Sequence, residues 1–515
     1  MSQRLTIVTS DRPALLASRL AGDLAEHPLG PFVTDTIVVQ SQGMARWLRH
    51  ELARRHGCAA GLDLPFPAGF CHALAAGLDG NEKDAIAESF DRDALTWRIL
   101  EQLENGLADE EGFEPLHAYA SRPDTRKRLG LAARLAGRFD DYQLYRPDVL
   151  LAWERTEHTT PEEEQSSHIA WQAALWRRLC GSEKPRHLAR WFTEAIERLE
   201  TTTEQPTGLP PRVAVCGVTT LPPLFVRLLR AVARWVPVTV YVGAPRRATW
   251  DARTPEDRNP LFETFGHAGR ELLTLLAEGD AEWVELESAT STKPSRTLLA
   301  QLQQDIREGT NRGPEANLAK PTTVDANDES LLVHVCHSPL REMEVLRDQL
   351  LAAFASDETL KPHDVLVLVP DVAKYAPFVE AVFDATEEGI PKIPHHVADR
   401  PIAQASSLAD ATLRMLRLVG ARCTAAEIVE LLELPAVRRA AGIPDTSTDR
   451  ILRWIADTRI RWGRDGATRK ESFDLPPVDA NSWRAGLDRL LMGYAVGPAD
   501  ALVADVLPHA GHTIG

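Results

Sequence analysis

A chain of 515 residues exceeds what one hydrophobic core organises, and at roughly 100 to 200 residues per domain it implies three or four units. Its 44% hydrophobic and 26% charged residues, with 12 Trp, describe a globular protein and exclude disorder as the default. The formal charge of -16 excludes a chain that coats nucleic acid by bulk attraction, while leaving room for a local basic channel.

The opening alternates element types. Leu5 to Val8 predicts a strand, TSDRP offers caps and a proline for a helix start, and an apolar-periodic helix follows to about Ala25. The stretch Thr36 to Leu48, TIVVQSQGMARWL, predicts a second strand over Ile37 to Gln40 that passes through a short polar turn into a second helix. Such βα repetition argues for a parallel sheet covered by helices. From about Phe70 to Leu199 the pattern is helical, with Leu95, Ile99 and Leu103 at helical spacing.

Strand character returns in Arg212 to Val218 and again in Val238 to Pro245, on either side of the helical LFVRLLRAVARWV. Residues 287–330, rich in Thr, Ser, Lys, Asn and Pro apart from a helical piece over Leu298 to Ile306, read as a linker. Beyond it, Leu332 to Cys336 predicts a strand, and Ser338 and Pro339 start a helix with an apolar face of Met343, Leu346, Leu350 and Phe354. Asp364 to Pro370 predicts another buried strand, and after Pro401 the chain is helical again.

The expected plan is α/β, with residues 1–69 and 201–286 forming a first parallel-sheet domain around a helical insertion, 70–200. After the linker, 331–400 begin a second α/β domain and 401–515 a second helical insertion. The expected plan resembles that of superfamily 1 helicases, two parallel-sheet units with large helical insertions.

The chemistry of such an enzyme is missing. A phosphate-binding turn needs a lysine for the β and γ phosphates and Ser or Thr for magnesium, yet the dipeptide Gly-Lys occurs nowhere. The expected nucleotide site is therefore degenerate. Asp371, the nearest acidic strand end, reads as a helix cap or turn residue. No H-E-x-x-H, G-x-S-x-G or post-strand G-x-G-x-x-G is present. The acidic runs EEEQSSH and ADEEGFE read as solvated faces, and His395 and His396 as a strand-end pair rather than metal ligands. Cys58, Cys71, Cys180, Cys216, Cys336 and Cys423 are scattered singly, as reduced cytosolic thiols are. With no basic-then-apolar N-terminus and no run of about 18 apolar residues, a soluble intracellular protein without membrane association is expected.

Eight blocks in order, IVVQSQGMARWL, GLDLPFPAGF, FDDYQLYRPDVLLAWE, GLPPRVAVCGVTTLPP, NPLFETFGHAGREL, VHVCHSPLREMEVL, IRWGRDG and NSWRAGLDRLLMGYA, resemble the RecC family, the gamma subunits of exodeoxyribonuclease V. The resemblance implies a helicase-like fold without an ATP site, in a bacterial cytoplasmic complex for double-strand break repair by homologous recombination. It implies a subunit that is not itself catalytic, with a RecB-like helicase and nuclease and a RecD-like helicase as partners. It further implies that the partners use ATP and magnesium, this chain holding no cofactor or metal. The implied ligands are a double-stranded DNA end and its 3' single strand, which the subunit guides past a wall that recognises Chi. Family chains continue past VLPHAGHTIG into a further helicase-like portion and a nuclease-like domain, so the resemblance covers the N-terminal half. Three alternatives stay open: an AddB-like inactivated helicase subunit, an ATP-driven helicase with a disguised nucleotide site, and a purely structural docking subunit.

The residues that the resemblance places on the DNA path are Gln40, Gln42, Arg46, Phe66, His72, Arg138, Asp140, Asp141 and Arg146. An amide such as Gln40 reads a base edge through its paired donor and acceptor, or caps a turn. Gln42 and Arg46 stand where relatives often carry Thr and Gln, His72 where Trp is usual, and Arg138 where an apolar residue is usual, so the sequence read here is expected to differ. Around Arg138, Arg126, Lys127, Arg128, Arg134, Tyr142 and Tyr145 suit single-stranded DNA or an internal ion-pair network. Trp47 is expected in the core.

Overall fold

The computed structural model describes residues 5–79, 90–120, 124–155, 167–181, 187–250, 259–286, 297–312, 324–385, 391–398, 406–444, 447–497 and 499–509. Glu162 to Glu164, parts of the 287–330 linker and the turn at Pro401 lie outside them. Two compact units are present, Met1–Leu332 and Val333–Gly515.

In the first unit, six parallel strands lie in the order β3-β2-β4-β5-β1-β6. They are β1 (Leu5–Ser10), β2 (Asp35–Val39), β3 (Leu62–Asp63), β4 (Val213–Cys216), β5 (Val238–Gly243) and β6 (Glu282–Glu285). The sheet resumes after the long helical stretch, as the sequence indicates, and its later strands are slotted between earlier ones. β4 pairs with β2 and β5 with β1, so β4 and β5 separate β1 from β2.

These strands read as continuous apolar runs because both faces of a covered parallel sheet are buried. Ile37 and Val39 pack on one face against α1 (Pro13–Glu26) and α2 (Gln42–His56), through Leu16, Leu20, Leu48 and Leu52. Val38 points the other way and joins α3 (Pro67–Asp79) and the helices Leu188–Thr201 and Pro223–Ala233. Alternation of two successive side chains between faces is thus hidden under uniform hydrophobicity.

Between Phe90 and Ala189 a separate core forms around Leu95, Ile99, Leu103, Phe139 and Trp176. It is built by α4 (Arg92–Glu104), α5 (Glu114–Ala120), α6 (Thr125–Tyr145), α7 (Pro147–Arg155) and the helix Ser167–Cys180. A polar node ties it together: Glu154 accepts from Trp176 Nε1 at 3.0 Å and from His187 Nε2 at 2.5 Å, and pairs with Arg190. His187 uses its other nitrogen, Nδ1, to accept the Arg190 backbone N–H.

In the second unit, Ser338 caps the helix Pro339–Ser356 by accepting from Arg341 N–H, and Met343 packs with Val382, Phe383 and Ile393. Asp371 caps the helix Val372–Phe383 by accepting from Lys374 N–H at 3.2 Å, the cap role that its position suggests. His395 bonds the Ile393 carbonyl at 3.3 Å and packs on Phe383. The expected second parallel sheet is absent among the described residues. Leu332 to Cys336 and Val365 to Val369 have no strand partner, and Val333, Val335, Leu366 and Leu368 are 81 to 97% exposed. An apolar run supplies the side chains of a strand but not the neighbouring backbone that its N–H and C=O groups require.

Candidate nucleic-acid interface

The candidate site grows from the C-terminal end of β2. Val39 N–H donates to the Pro65 carbonyl at 3.0 Å, which brings the turn carrying Phe66 beside the strand end. One residue on, Gln40 is exposed, and its Oε1 accepts from both the Thr219 N–H (2.9 Å) and the Thr219 hydroxyl (3.1 Å). Gln40 therefore bridges the turns that follow β2 and β4. Its acceptor is occupied by the fold, while its Nε2 has no partner among the described residues. The paired donor and acceptor expected of it are thus reduced to a donor in this conformation.

Ser41 then caps α2 by accepting the Met44 N–H at 3.1 Å, and Gly57, at φ +82, ends the helix in the left-handed region. Met44 lies over Gly217, whose φ is +69; a Cβ there would stand 2.5 Å from the Met44 methyl. These contacts fix the direction in which α2 leaves the sheet. Ala45, Leu48 and Leu52 face the core, and Gln42, Arg46, Arg49, His50 and Ala53 line a groove of about 500 Å3 closed by Ala59. Glu51, the one carboxylate on α2, bonds Arg54 and Arg55 at 2.8 and 2.9 Å on the opposite flank. Hydrogen bonding from Arg54, then Arg55, holds the Glu51 carboxyl below its ordinary value against the opposing effect of burial.

Trp47 corrects an expectation. It is 37% exposed rather than core, because Leu48 and Leu52 already fill the contact and its position, a quarter-turn away, falls at the helix rim. Phe66 is also exposed, at 42%. His72 is half-buried, its ring edge-on to Trp191 and Phe192 at 5.7 and 5.5 Å, and burial pushes its pKa down. It serves as an aromatic packing element between α3 and Leu188–Thr201.

On α6, Arg138 and Asp141 form an exposed i,i+3 ion pair at 3.3 Å. Asp140 is half-buried; burial, then the neighbouring charge of Asp141, pushes its pKa up, opposed by Arg92. Arg146 is the exposed residue that closes α6, its N–H donating to the Tyr142 carbonyl at 2.9 Å. Tyr142 donates to Gln172 at 3.0 Å, Arg128 to the Ala120 carbonyl, and Tyr145 is 48% exposed. Gln40, Gln42, Arg46 and Phe66 thus cluster at the β2 end, whereas Arg138, Asp140, Asp141 and Arg146 form a second group on α6. Sequence reading missed Thr219 and His50: the first sits in a turn without periodicity, the second shows only as Arg46 plus four on a helix.

The family described as RecC, N-terminal domain, matches residues 5–309, and the RecBCD enzyme subunit RecC fourth domain matches residues 405–513. RecBCD enzyme subunit RecC of Escherichia coli K12 is 32% identical over 535 residues, 93% of this chain and 46% of that protein. The protein of the same name from Mycolicibacterium smegmatis is 32% identical over 526 residues, covering 95% and 45%, and that of Haemophilus influenzae 29% over 555 residues, covering 93% and 47%. The chain spans about half the length of these curated relatives. With one family profile matched across well over half its residues and a second along its C-terminal part, the chain belongs to the RecC family.

Proposed function

We propose that this chain acts as a non-catalytic subunit of a RecBCD-type helicase and nuclease complex in recombinational repair of double-strand breaks. In this reading it holds a DNA end, guides the 3'-ended strand and reads Chi. A RecB-like helicase and nuclease and a RecD-like helicase are its partners in the bacterial cytoplasm; they use the ATP and magnesium, and this chain holds no cofactor. Among the described residues no helix is long and apolar enough to cross a membrane.

The observation that carries the reading is the β2 end. Gln40 stands at the strand end with an amide nitrogen that has no partner among the described residues, the exposed Phe66 follows the turn bonded to Val39, and Gln42 and Arg46 line the groove on the helix that leaves the strand. Base-edge donors, a stacking ring and a cation are what single-strand recognition combines. A degenerate helicase site fits the same reading, since such a sheet keeps its strand-end crevice after the phosphate ligands are gone.

Fluorescence anisotropy of a labelled 3'-tailed duplex across a salt series tests it, with Arg46→Glu/Arg146→Glu beside the unaltered chain and folding followed by circular dichroism. Salt-sensitive binding lost in the folded variant supports the DNA path; equal binding by both removes it from these residues. A second reading, a structural docking subunit, is favoured by Arg138 being paired and His72 being packed among rings. No binding by either protein, with partner association intact, supports that one.

A further inference from the structure

We propose that Arg49 and His50, with Arg46, make the polar side of α2 a sequence-independent contact for the phosphodiester backbone of a nucleic-acid strand. The proposal rests on the strand-guiding reading above and extends its interface along the helix. In a chain of formal charge -16, this groove is lined by two arginines, a histidine, an amide and two alanines, with no carboxylate. The segregation is built into the helix: Glu51 is turned to the other flank, where it holds Arg54 and Arg55. Neither Arg46 nor Arg49 has an ion-pair partner among the described residues.

The spacing suits a polymer. At 1.5 Å rise per residue, Arg46, Arg49 and His50 are stepped over about 6 Å of helix on one face. Ala53 and Ala59 keep the groove floor low enough for a backbone to approach. A peptide partner would require an apolar or aromatic anchor in the groove, and none lines it. Contacts of this kind set register and affinity without reading bases.

The test is the slope of log K against log salt for the full chain on single-stranded oligonucleotides of two unrelated sequences, with Arg49→Gln and Arg49→Lys variants. Each phosphate contact contributes about 0.7 to that slope on single strands. Arg49→Gln is expected to flatten it by about that amount and to weaken both oligonucleotides equally, while Arg49→Lys keeps the slope. Circular dichroism matching the unaltered chain confirms that the exposed substitution leaves the fold intact. An unchanged slope in Arg49→Gln, alongside binding that still requires Arg46 and Arg146, overturns this inference alone. Weakening confined to one sequence overturns it in favour of base reading. An unaltered chain that binds neither oligonucleotide overturns both this inference and the reading beneath it.

Discussion

Gln40 and Gly217 show how much of the candidate site is held by single residues. Gly217 adopts φ +69 with Met44 lying against it, so Gly217→Ala combines a left-handed non-glycine residue with a displaced thioether. A loss of about 1 to 3 kcal/mol in the urea-unfolding free energy is expected. The position of Gln40 at a strand end is legible in IVVQSQG; its bond to Thr219 is not, because the two lie 179 positions apart and no periodicity links the two turns. Glu154 gives a pH signature. Burial pulls its carboxyl up, but the hydrogen bond and charge of His187, then Trp176 and Arg190, pull it further down, leaving it below the ordinary 4.5. The native state therefore binds that proton more weakly than the unfolded chain. Its stabilisation is present above pH 4.5 and lost as pH falls through the depressed native value. Urea midpoints of the unaltered chain and Glu154→Gln are expected to differ at pH 7 and to converge as pH drops below 4.5.

Among the elements, α2 carries two loads at once, one face sealing the sheet and the other lining the groove. Ser41→Ala removes its N-cap and is expected to lower stability by about 1 kcal/mol, read from the thermal midpoint, with the groove side chains unchanged. The buried strands, the capping residues Ser338 and Asp371, and the helical spacing of Leu95, Ile99 and Leu103 were all legible, because each depends on neighbours within a few positions. Trp47 was not, since a helical face says which residues point inward but not where the contact ends. Nor was the fate of Leu332 to Cys336 and Val365 to Val369, since pairing depends on a partner that the local pattern never names.

For the whole molecule, the two units differ in how much they bury. The first has three extended apolar cores, the second a cluster of Met343, Val382, Phe383 and Ile393 with Leu366, Leu368, Leu408 and Val419 exposed. Amide hydrogen exchange followed by mass spectrometry is expected to show full exchange across Val365 to Val369 within seconds, while β1, β4 and β5 stay protected for hours. Equal protection in the two regions would contradict this ranking.

The slotting of β4 and β5 between β2 and β1 also bears on how the chain is made. Both neighbours of β1, β5 and β6, lie more than two hundred residues downstream. At synthesis rates of about 5 to 20 residues per second, LTIVTS waits roughly 10 to 45 s before Val238–Gly243 has emerged to pair with it. Throughout that interval the first strand has two open edges, and the helical core around Phe139 and Trp176 is fully synthesised before β4, β5 and β6, the strands that complete the sheet. A nascent chain stalled between Leu199 and Val238 would therefore be a substrate for chaperones that grip unpaired apolar strands, and the emergence of Glu282–Glu285 is the step that completes the sheet.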